Sequence, residues 1–244
     1  MSDLALMNVT EVDGSDLLSA AASNWAWPVP HCPGWNTADL VRHTGSIFAW
    51  IASLVATGER VSRRALPPAP TDLDALPFWY TDNLDEVLHD LRRADPETEV
   101  WTFSSRGDHR VAWWRRRLAV EVAIHRWDAE HAASEHGGPA PKPLDGKVAA
   151  AGIDEFVSEF LPGLLDQHQF SPRGMLHIQA IDGPTDIWVD LDAQGEHSGD
   201  QNPSDISLNG TSSDILLWMT NRRPVALEVV GELTVLTAWR RLRR

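Results

Sequence analysis

The stretch TADLVRHTGSIFAWIASLVATG, residues 37–58, carries apolar side chains every three or four positions. This spacing places them on one face of an α-helix. Asn36 or Thr37 can cap the start of the helix with a side-chain oxygen, and Gly58 is a typical terminator. The stretch therefore predicts an amphipathic helix, whose inward positions are Leu40, Val41, Thr44, Ile47, Phe48, Ile51, Leu54 and Val55.

Helical patterns recur on both sides of this stretch, with loop sequences between them. In WAWPVPHCPGW, residues 25–35, the prolines exclude a helix interior. The pair Gly137–Gly138 ends the last pattern. The first half of the chain thus predicts a four-helix bundle with one long crossover, in which the other three helices are 15–24, 78–94 and 111–136.

A Pro- and Gly-rich linker, GGPAPKPLDG at 137–146, separates this bundle from a segment of different periodicity. Beyond a helix at 147–165, apolar and polar residues alternate, which is typical of strands. The fold class is therefore α+β, with an N-terminal domain at 1–138 and a small α+β C-terminal domain at 146–244. Its predicted elements are a hairpin at 175–182 and 186–192, a strand at 206–210, a helix at 212–221 and closing strands at 226–231 and 233–239.

Charge and composition narrow the classes of function. Across 244 residues, 21 Lys and Arg face 35 Asp and Glu, so the net charge of −14 repels nucleic acid. The single cysteine, Cys32, excludes an intramolecular disulfide and a Cys-rich zinc ribbon. With no basic leader and no apolar run of membrane-spanning length, we expect a cytoplasmic protein, monomeric or homodimeric, that binds neither nucleic acid nor membrane.

Tryptophan is unusually common, with twelve residues against one tyrosine, and nine of the twelve lie between Trp25 and Trp127. They fill a core, or they line an aromatic cleft.

Three polar residues share one face of the predicted helix around AVEVAIHRWDAEH, residues 119–131. Glu121, His125 and Asp128 are separated by four and three positions, beside an apolar stripe. On the helix of residues 37–58, His43 lies in the arc that faces the interior. Facing helices could thus bring His43, Glu121 and His125 together as ligands of a divalent metal. A surface Glu–His hydrogen bond and a hydrogen-bonded core histidine remain open alternatives.

The segment VPHCPGWNTADLVRHTG, residues 29–45, resembles the opening signature of the mycothiol-dependent maleylpyruvate isomerase family, whose N-terminal domain is a DinB-like metal-binding helical bundle. Glu121, His125 and Asp128 match the pair of ligands, with a following Asp, on the last bundle helix of that family. GTSSDILLWMTNRRP and VVGELTVLTAW, at 210–224 and 229–239, resemble its sterol-carrier-like C-terminal domain. The resemblance covers nearly the whole chain.

This resemblance implies a Zn²⁺ or similar divalent ion on His43, Glu121 and His125, with an open position for the thiolate of mycothiol. It implies an isomerase or thiol S-transferase that acts on a small electrophilic or anionic substrate. A small-molecule binding protein with a structural metal, and a metal hydrolase on the same ligands, are the alternatives.

Arginines are expected to hold the anionic partners. Arg115, Arg116 and Arg117 lie on the helix of the Glu–His pair, and we expect Arg117 and Trp50 to bind the thiol cofactor. Arg222 and Arg223 follow a helix of the C-terminal domain, and we assign them a catalytic contact to substrate, with a solvated or helix-capping pair as the alternative.

For the other candidate residues, structural roles are weighed against functional ones. Asp39 lies one turn before His43 and could orient its ring. Cys32 is expected in a structural Pro-Gly turn. Three further histidines, His31, His131 and His136, could be metal ligands, but surface positions are expected for them.

Overall fold

A computed structural model of the chain describes residues 3–167, 174–191, 195–196, 205–223 and 226–231. The chain divides into an N-terminal unit, Met1–Leu144, and a C-terminal unit, Asp145–Arg244. None of the helices in the described ranges is long and apolar enough to cross a bilayer.

Four helices form the N-terminal unit, and the predicted bundle is confirmed. They pack chiefly as the pairs α1 with α4 and α2 with α3. Their shared core contains large, fully buried side chains such as Leu17, Phe48, Leu88 and Trp114. The helices are α1 (Asp3–Ala22), α2 (Thr37–Thr57), α3 (Leu76–Arg93) and α4 (Val111–Ser134), with a 3₁₀ turn at Arg63–Ala65 between α2 and α3.

Helix α1 begins at Asp3 and not near residue 15, so the predicted start was wrong by about three turns. The buried face of α1 carries the polar residues Thr10 and Asp13 beside Leu6 and Leu17. Because these polar residues interrupt the apolar spacing, the sequence did not indicate the first turns of the helix. Both polar residues form a hydrogen bond inside the bundle. The Thr10 hydroxyl donates to the Leu6 carbonyl at 2.9 Å, and Asp13 accepts from Arg126 Nε at 3.2 Å.

Arg126 anchors the end of the bundle. Its guanidinium is 2% exposed and also donates to Glu130 Oε2 at 2.7 Å, to the Lys142 carbonyl at 2.7 Å and to the Pro143 carbonyl at 3.0 Å. Charge-assisted bonds of this kind are stronger than neutral ones. They tie the Pro-rich segment after α4 to helices α1 and α4.

A tight turn at residues 29–35 precedes α2. The backbone N–H of Val29 donates to Trp35 O at 2.9 Å. Two further turns are closed by hydrogen bonds of 3.0 Å, from Cys32 N–H to Val29 O and from Trp35 N–H to Cys32 O. Gly34 takes a left-handed φ of 83°, which suits glycine. Asn36 then caps α2 in a reciprocal capping box with Asp39, and Gly58 ends the helix with a φ of 71°. The predicted turn at Cys32 and both helix caps are confirmed.

The C-terminal unit is a five-stranded sheet with helices, over its described residues. The strand order is β3-β2-β1-β4-β5; β1 pairs with β4 in parallel, and the other pairings are antiparallel. The strands are β1 (Met175–Ala180), β2 (Asp186–Asp190), β3 (Gly195–Glu196), β4 (Ile206–Gly210) and β5 (Glu228–Gly231). The helices are α5 (Gly146–Glu155), a π-helical stretch Phe156–Phe160, α6 (Leu161–Gln167) and α7 (Ser212–Met219).

The predicted hairpin, the strand at 206–210, the helix after Thr211 and the strand at 226–231 are therefore confirmed, and the short strand β3 was missed. The predicted strand at 233–239 lies outside the described residues.

Gly45 on α2 permits a close approach of the Trp79 ring on α3. A Cβ at this position would overlap the Trp79 ring, inside any normal van der Waals contact. We expect Gly45→Ala to lower the free energy of unfolding by about 1–3 kcal/mol, the usual cost of overpacking a filled core. Urea denaturation followed by circular dichroism measures the change.

Gly163→Ala is the matched control, since Gly163 is also helical and a Cβ there meets nothing within 4 Å. It should raise the free energy of unfolding by about 0.5–1 kcal/mol. Equal stabilisation by both substitutions would contradict the close approach.

Candidate functional site

His43, Glu121 and His125 meet inside the bundle. Glu121 Oε1 lies 3.3 Å from His43 Nε2 and 3.2 Å from His125 Nε2, so one carboxylate oxygen faces both imidazoles. His43 comes from α2, and the other two lie one turn apart on α4. The structure thus brings together the three residues that the sequence paired by helix face. One ligand atom from each lies within 4.8 Å of the others.

Burial and charge act against each other at Glu121. Burial raises the pKa of its carboxyl, but the Arg117 charge and hydrogen bonds from His125 and His43 outweigh burial and hold the pKa well below its ordinary value. Arg117 is one helical turn before Glu121 and pairs with its second oxygen, Oε2. Glu121 is therefore an ionised carboxylate inside the protein.

His125 is held from its other side by Asp128. Its Nδ1 lies 3.0 Å from Asp128 Oδ2, and the Asp128 side chain is fully buried. The Cys32 Sγ–H donates to the same oxygen at 3.7 Å. Burial lowers the pKa of His125, but its hydrogen bonds to Asp128, Cys32 and Glu121 outweigh burial and raise the pKa well above its ordinary value. A hydrogen bond at Nδ1 directs Nε2 toward Glu121 and His43.

This donor set fits a divalent metal ion. Zn²⁺ takes imidazole nitrogen and carboxylate oxygen at about 2.0–2.1 Å in tetrahedral geometry, which separates neighbouring donors by about 3.3 Å. The two separations of 3.3 Å and 3.2 Å agree with that value. Three protein donors also leave a fourth tetrahedral position for an exogenous ligand.

Trp35 packs against both imidazoles, and sequence reasoning did not assign it this role. Its ring centroid lies 4.7 Å from that of His43 and 6.4 Å from that of His125. The imidazoles themselves meet edge to face at 5.1 Å. The only available signal was the position of Trp35 at the end of the Pro-Gly turn that precedes α2.

A cleft of about 140 Å³ opens beside two of the three donors, His43 and Glu121. His43, Glu121 and Arg117 line its polar end, and aliphatic side chains of α2 and α4 contribute to its wall. The remaining lining is aromatic and cationic, from Trp50, Phe103, Trp114 and Arg63. The aromatic cleft left open by the tryptophan content is therefore present, and both Arg117 and Trp50 line it.

The side chains of the three consecutive arginines of α4 lie in different environments. Arg115 is buried and donates to the Leu91 carbonyl at 2.6 and 2.9 Å and to the Ala94 carbonyl at 2.7 Å, where α3 ends. Arg116 pairs with Asp108 at 3.0 Å at the surface. Only Arg117 of the three lines the cleft, so the expectation that all three serve anionic partners was wrong for Arg115 and Arg116. Successive helical residues differ by about 100° in direction, which separates them.

Asp39 does not orient His43. Its carboxylate accepts from the Asn36 backbone N–H at 3.2 Å and pairs with Arg42 at 3.3 Å, so it belongs to the cap of α2.

The three additional histidines lie outside the donor set. His31 and His131 stack at 5.0 Å, His131 also stacks on Trp127 at 4.8 Å, and His136 stacks on Trp27 at 4.7 Å. No group of three potential metal ligands among the described residues includes any of them.

Arg222 and Arg223 follow α7 in the C-terminal unit. Arg222 Nη1 donates to the Thr220 carbonyl at 2.9 Å, a bond that suits the helix-capping alternative, and the Arg223 side chain is exposed. Asn221 takes a left-handed φ of 61° at the end of the helix. Their catalytic role stays a prediction.

Comparison with protein families and solved structures gives consistent matches. Residues 11–130 match the mycothiol maleylpyruvate isomerase N-terminal domain, and residues 147–238 match the C-terminal domain of the same family. A crystal structure of mycothiol-dependent maleylpyruvate isomerase superposes with a TM-score of 0.62 at 12% identity, covering 96% of this chain and 95% of that chain. A histidine-to-alanine mutant of that enzyme gives 0.64 at 13% identity with the same coverage. No protein of curated function matches significantly in sequence.

Arg115 and Arg116 offer a paired test of their assigned environments. Arg115→Met removes every side-chain donor to the two α3 carbonyls, so we expect the free energy of unfolding to fall by about 2–4 kcal/mol. Arg116→Met breaks a surface ion pair and should change it by less than about 1 kcal/mol. Similar losses in chemical denaturation for both variants would contradict the different environments.

Proposed function

This chain belongs to the mycothiol maleylpyruvate isomerase family, and on that premise we propose that it is a metal-dependent enzyme that uses mycothiol. It acts as an isomerase or a thiol S-transferase on a small electrophile. The observation that carries the proposal is the meeting of His43, Glu121 and His125 in one donor group, of which His43 and Glu121 also line an aromatic cleft.

His43, Glu121 and His125 would hold the divalent ion, with Zn²⁺ as the best candidate. A bound divalent ion lowers the pKa of a coordinated thiol and so supplies a thiolate nucleophile near neutral pH. Arg117 keeps Glu121 ionised, and Asp128 fixes the ring of His125. Both contacts prepare the donor atoms before a ligand arrives, which lowers the cost of binding it.

The cleft supplies the surroundings for an addition step. Trp50 and Trp114 contribute apolar wall, and Arg117 in the same lining would place a positive charge beside an incoming anion. In an isomerase, the thiolate sulfur adds to one carbon of a double bond, the remaining single bond rotates, and elimination returns the thiolate and the double bond. In an S-transferase the new carbon–sulfur bond is retained, and the neighbouring carbon, which receives the electron pair of the double bond, takes up a proton from solvent. The same residues serve both outcomes.

We also propose that Arg222 or Arg223 contacts an anionic substrate or the thiol cofactor. Arginine suits this role because its planar guanidinium can form two parallel hydrogen bonds to a carboxylate.

Metal binding should follow a graded series of variants. We expect the purified protein to carry close to one equivalent of divalent metal and His125→Ala to lose nearly all of it. Asp128→Asn removes an outer partner only and should weaken binding by about 10–100-fold. Competition with a chromophoric chelator measures each affinity.

His136→Ala is the control for this series, because His136 stacks on Trp27 away from the donors. Its metal affinity should equal that of the wild type. An active protein without metal and without response to added zinc would rule out the metal role.

Turnover should require an added thiol and not the cysteine of the chain. Cys32 donates to Asp128 and is not aimed at the cleft lining, so Cys32→Ser, which keeps a donor, should retain substantial activity. Removing mycothiol should abolish turnover of an electrophile followed by chromatography. Undiminished turnover without thiol in the metal-loaded protein would instead favour a hydrolase in which water takes the open position.

A further inference from the structure

We propose that Cys32, Asp128 and the Nδ1 atom of His125 form a second metal site, which takes a thiophilic divalent cation such as Zn²⁺ or Cd²⁺. This site fills only after the first ion is held by His43, Glu121 and the Nε2 atom of His125. It goes beyond the proposed function, which uses neither the Cys32 sulfur nor the Asp128 oxygen as a ligand.

Three donor atoms of different chemistry meet on the Nδ1 side of the His125 ring. His125 Nδ1 lies 3.0 Å from Asp128 Oδ2, and Cys32 Sγ lies 3.7 Å from the same oxygen. Cys32 also forms a hydrogen bond with His125. One ligand atom from each of the three residues lies within 4.8 Å of the other two. Sulfur, imidazole nitrogen and carboxylate oxygen are the ligands that Zn²⁺ takes in proteins, so this cluster is a complete set of three donors.

The separations of these atoms match those of ligands around one ion. Metal–ligand lengths of about 2.3 Å for sulfur and about 2.1 Å for nitrogen and oxygen give tetrahedral separations of about 3.6 Å between sulfur and oxygen and about 3.3 Å between nitrogen and oxygen. The observed distances of 3.7 Å and 3.0 Å lie close to these values. An ion can therefore replace the hydrogen bonds of the cluster with small side-chain shifts.

The turn at residues 29–35 holds Cys32 against α4. Its backbone hydrogen bonds place the cysteine between two closed turns. The preceding residue, His31, stacks on His131 of α4 at 5.0 Å between ring centroids. Cys32 is half-buried, whereas the Asp128 side chain is fully buried. The cysteine is therefore fixed in position and remains partly accessible to an ion.

Binding at this site uses both nitrogens of the His125 ring. Cys32 coordinates as a thiolate and His125 through Nδ1, so the thiol proton and the Nδ1 proton pass to solvent. The resulting imidazolate joins the two ions. Because two cations on one ring repel each other, the Cys32 site is the weaker one. Protein with one equivalent of metal therefore keeps only nitrogen and oxygen as protein ligands.

Titration of the full-length, metal-free protein with Co²⁺ in thiol-free buffer tests this site. Co²⁺ accepts the same donors as Zn²⁺, and a cobalt–thiolate bond gives a charge-transfer band in the near ultraviolet. Cys32 is the single cysteine of the chain, so any such band reports on it. We expect no band at the first equivalent and a band that grows with the second, at an affinity about tenfold or more weaker.

The sulfur ligand also sets the class of cation. Thiolate favours thiophilic ions, whereas Mg²⁺ prefers carboxylate, carbonyl and water oxygen. Cd²⁺ should therefore remove the cobalt band by competition, and the same concentration of Mg²⁺ should leave it unchanged.

Variants assign each ligand. Cys32→Ser should abolish the band and still bind the first equivalent. Asp128→Asn removes a ligand of the second ion, so the band should require about tenfold or more Co²⁺. His43→Ala removes a ligand of the first ion alone, so the band should appear with the first equivalent. Glu135→Gln is the matched control, the same change of carboxylate to amide at the exposed end of α4, and should leave the titration unchanged.

Absence of a band in excess Co²⁺, or a wild-type band that is already complete at the first equivalent, would overturn the inference. The wild-type titration decides both outcomes, whether or not Asp128→Asn folds. A band of unchanged affinity in folded Asp128→Asn would also overturn it, since the thiol alone would then bind the ion. The titration contains neither mycothiol nor an electrophile, so its failure is distinguishable from a failure of the proposed function, which the thiol-dependence assay measures.

Discussion

The meeting of α2 and α4 at this site depends on the carboxylate of Glu121, whose side chain is 13% exposed. An ionised group inside a protein is costly unless opposite charge and hydrogen-bond donors surround it. Arg117 and the two imidazoles provide that surrounding, and they come from two helices that must therefore pack in one register. A divalent cation would compensate the same charge more completely. The contacts that stabilise Glu121 therefore also hold His43 and His125 beside it.

Helix α4 carries Glu121 and His125 together with two buried arginines that bind neighbouring segments of the N-terminal unit. Arg115 binds the end of α3, and Arg126 binds α1 and the segment at Lys142–Pro143. Buried arginines lose hydration, but bonds to carbonyls at helix and loop ends satisfy both partners. Since these anchors lie on the same helix as Glu121 and His125, they fix the helix that carries these two residues relative to α1 and α3.

The sequence predicts those features of the fold and the site that depend on helical periodicity. The bundle, the inward position of His43 and the shared face of Glu121 and His125 all follow from spacing along α2 and α4. Periodicity could not reveal the full length of α1, because its buried face contains Thr10 and Asp13, whose partners are set by tertiary packing. It also could not separate the buried environment of Arg115 from that of Arg117 in the lining of the cleft.

X-ray absorption at the metal edge, with and without mycothiol, tests the central claim most directly. Histidine nitrogen and carboxylate oxygen should account for the protein ligands in the thiol-free sample. Adding mycothiol should bring one sulfur into the coordination sphere, and Cys32→Ser should give the same spectrum because the sulfur is not that of the protein. A spectrum with no sulfur after saturation with mycothiol, or with sulfur before its addition, would contradict the account.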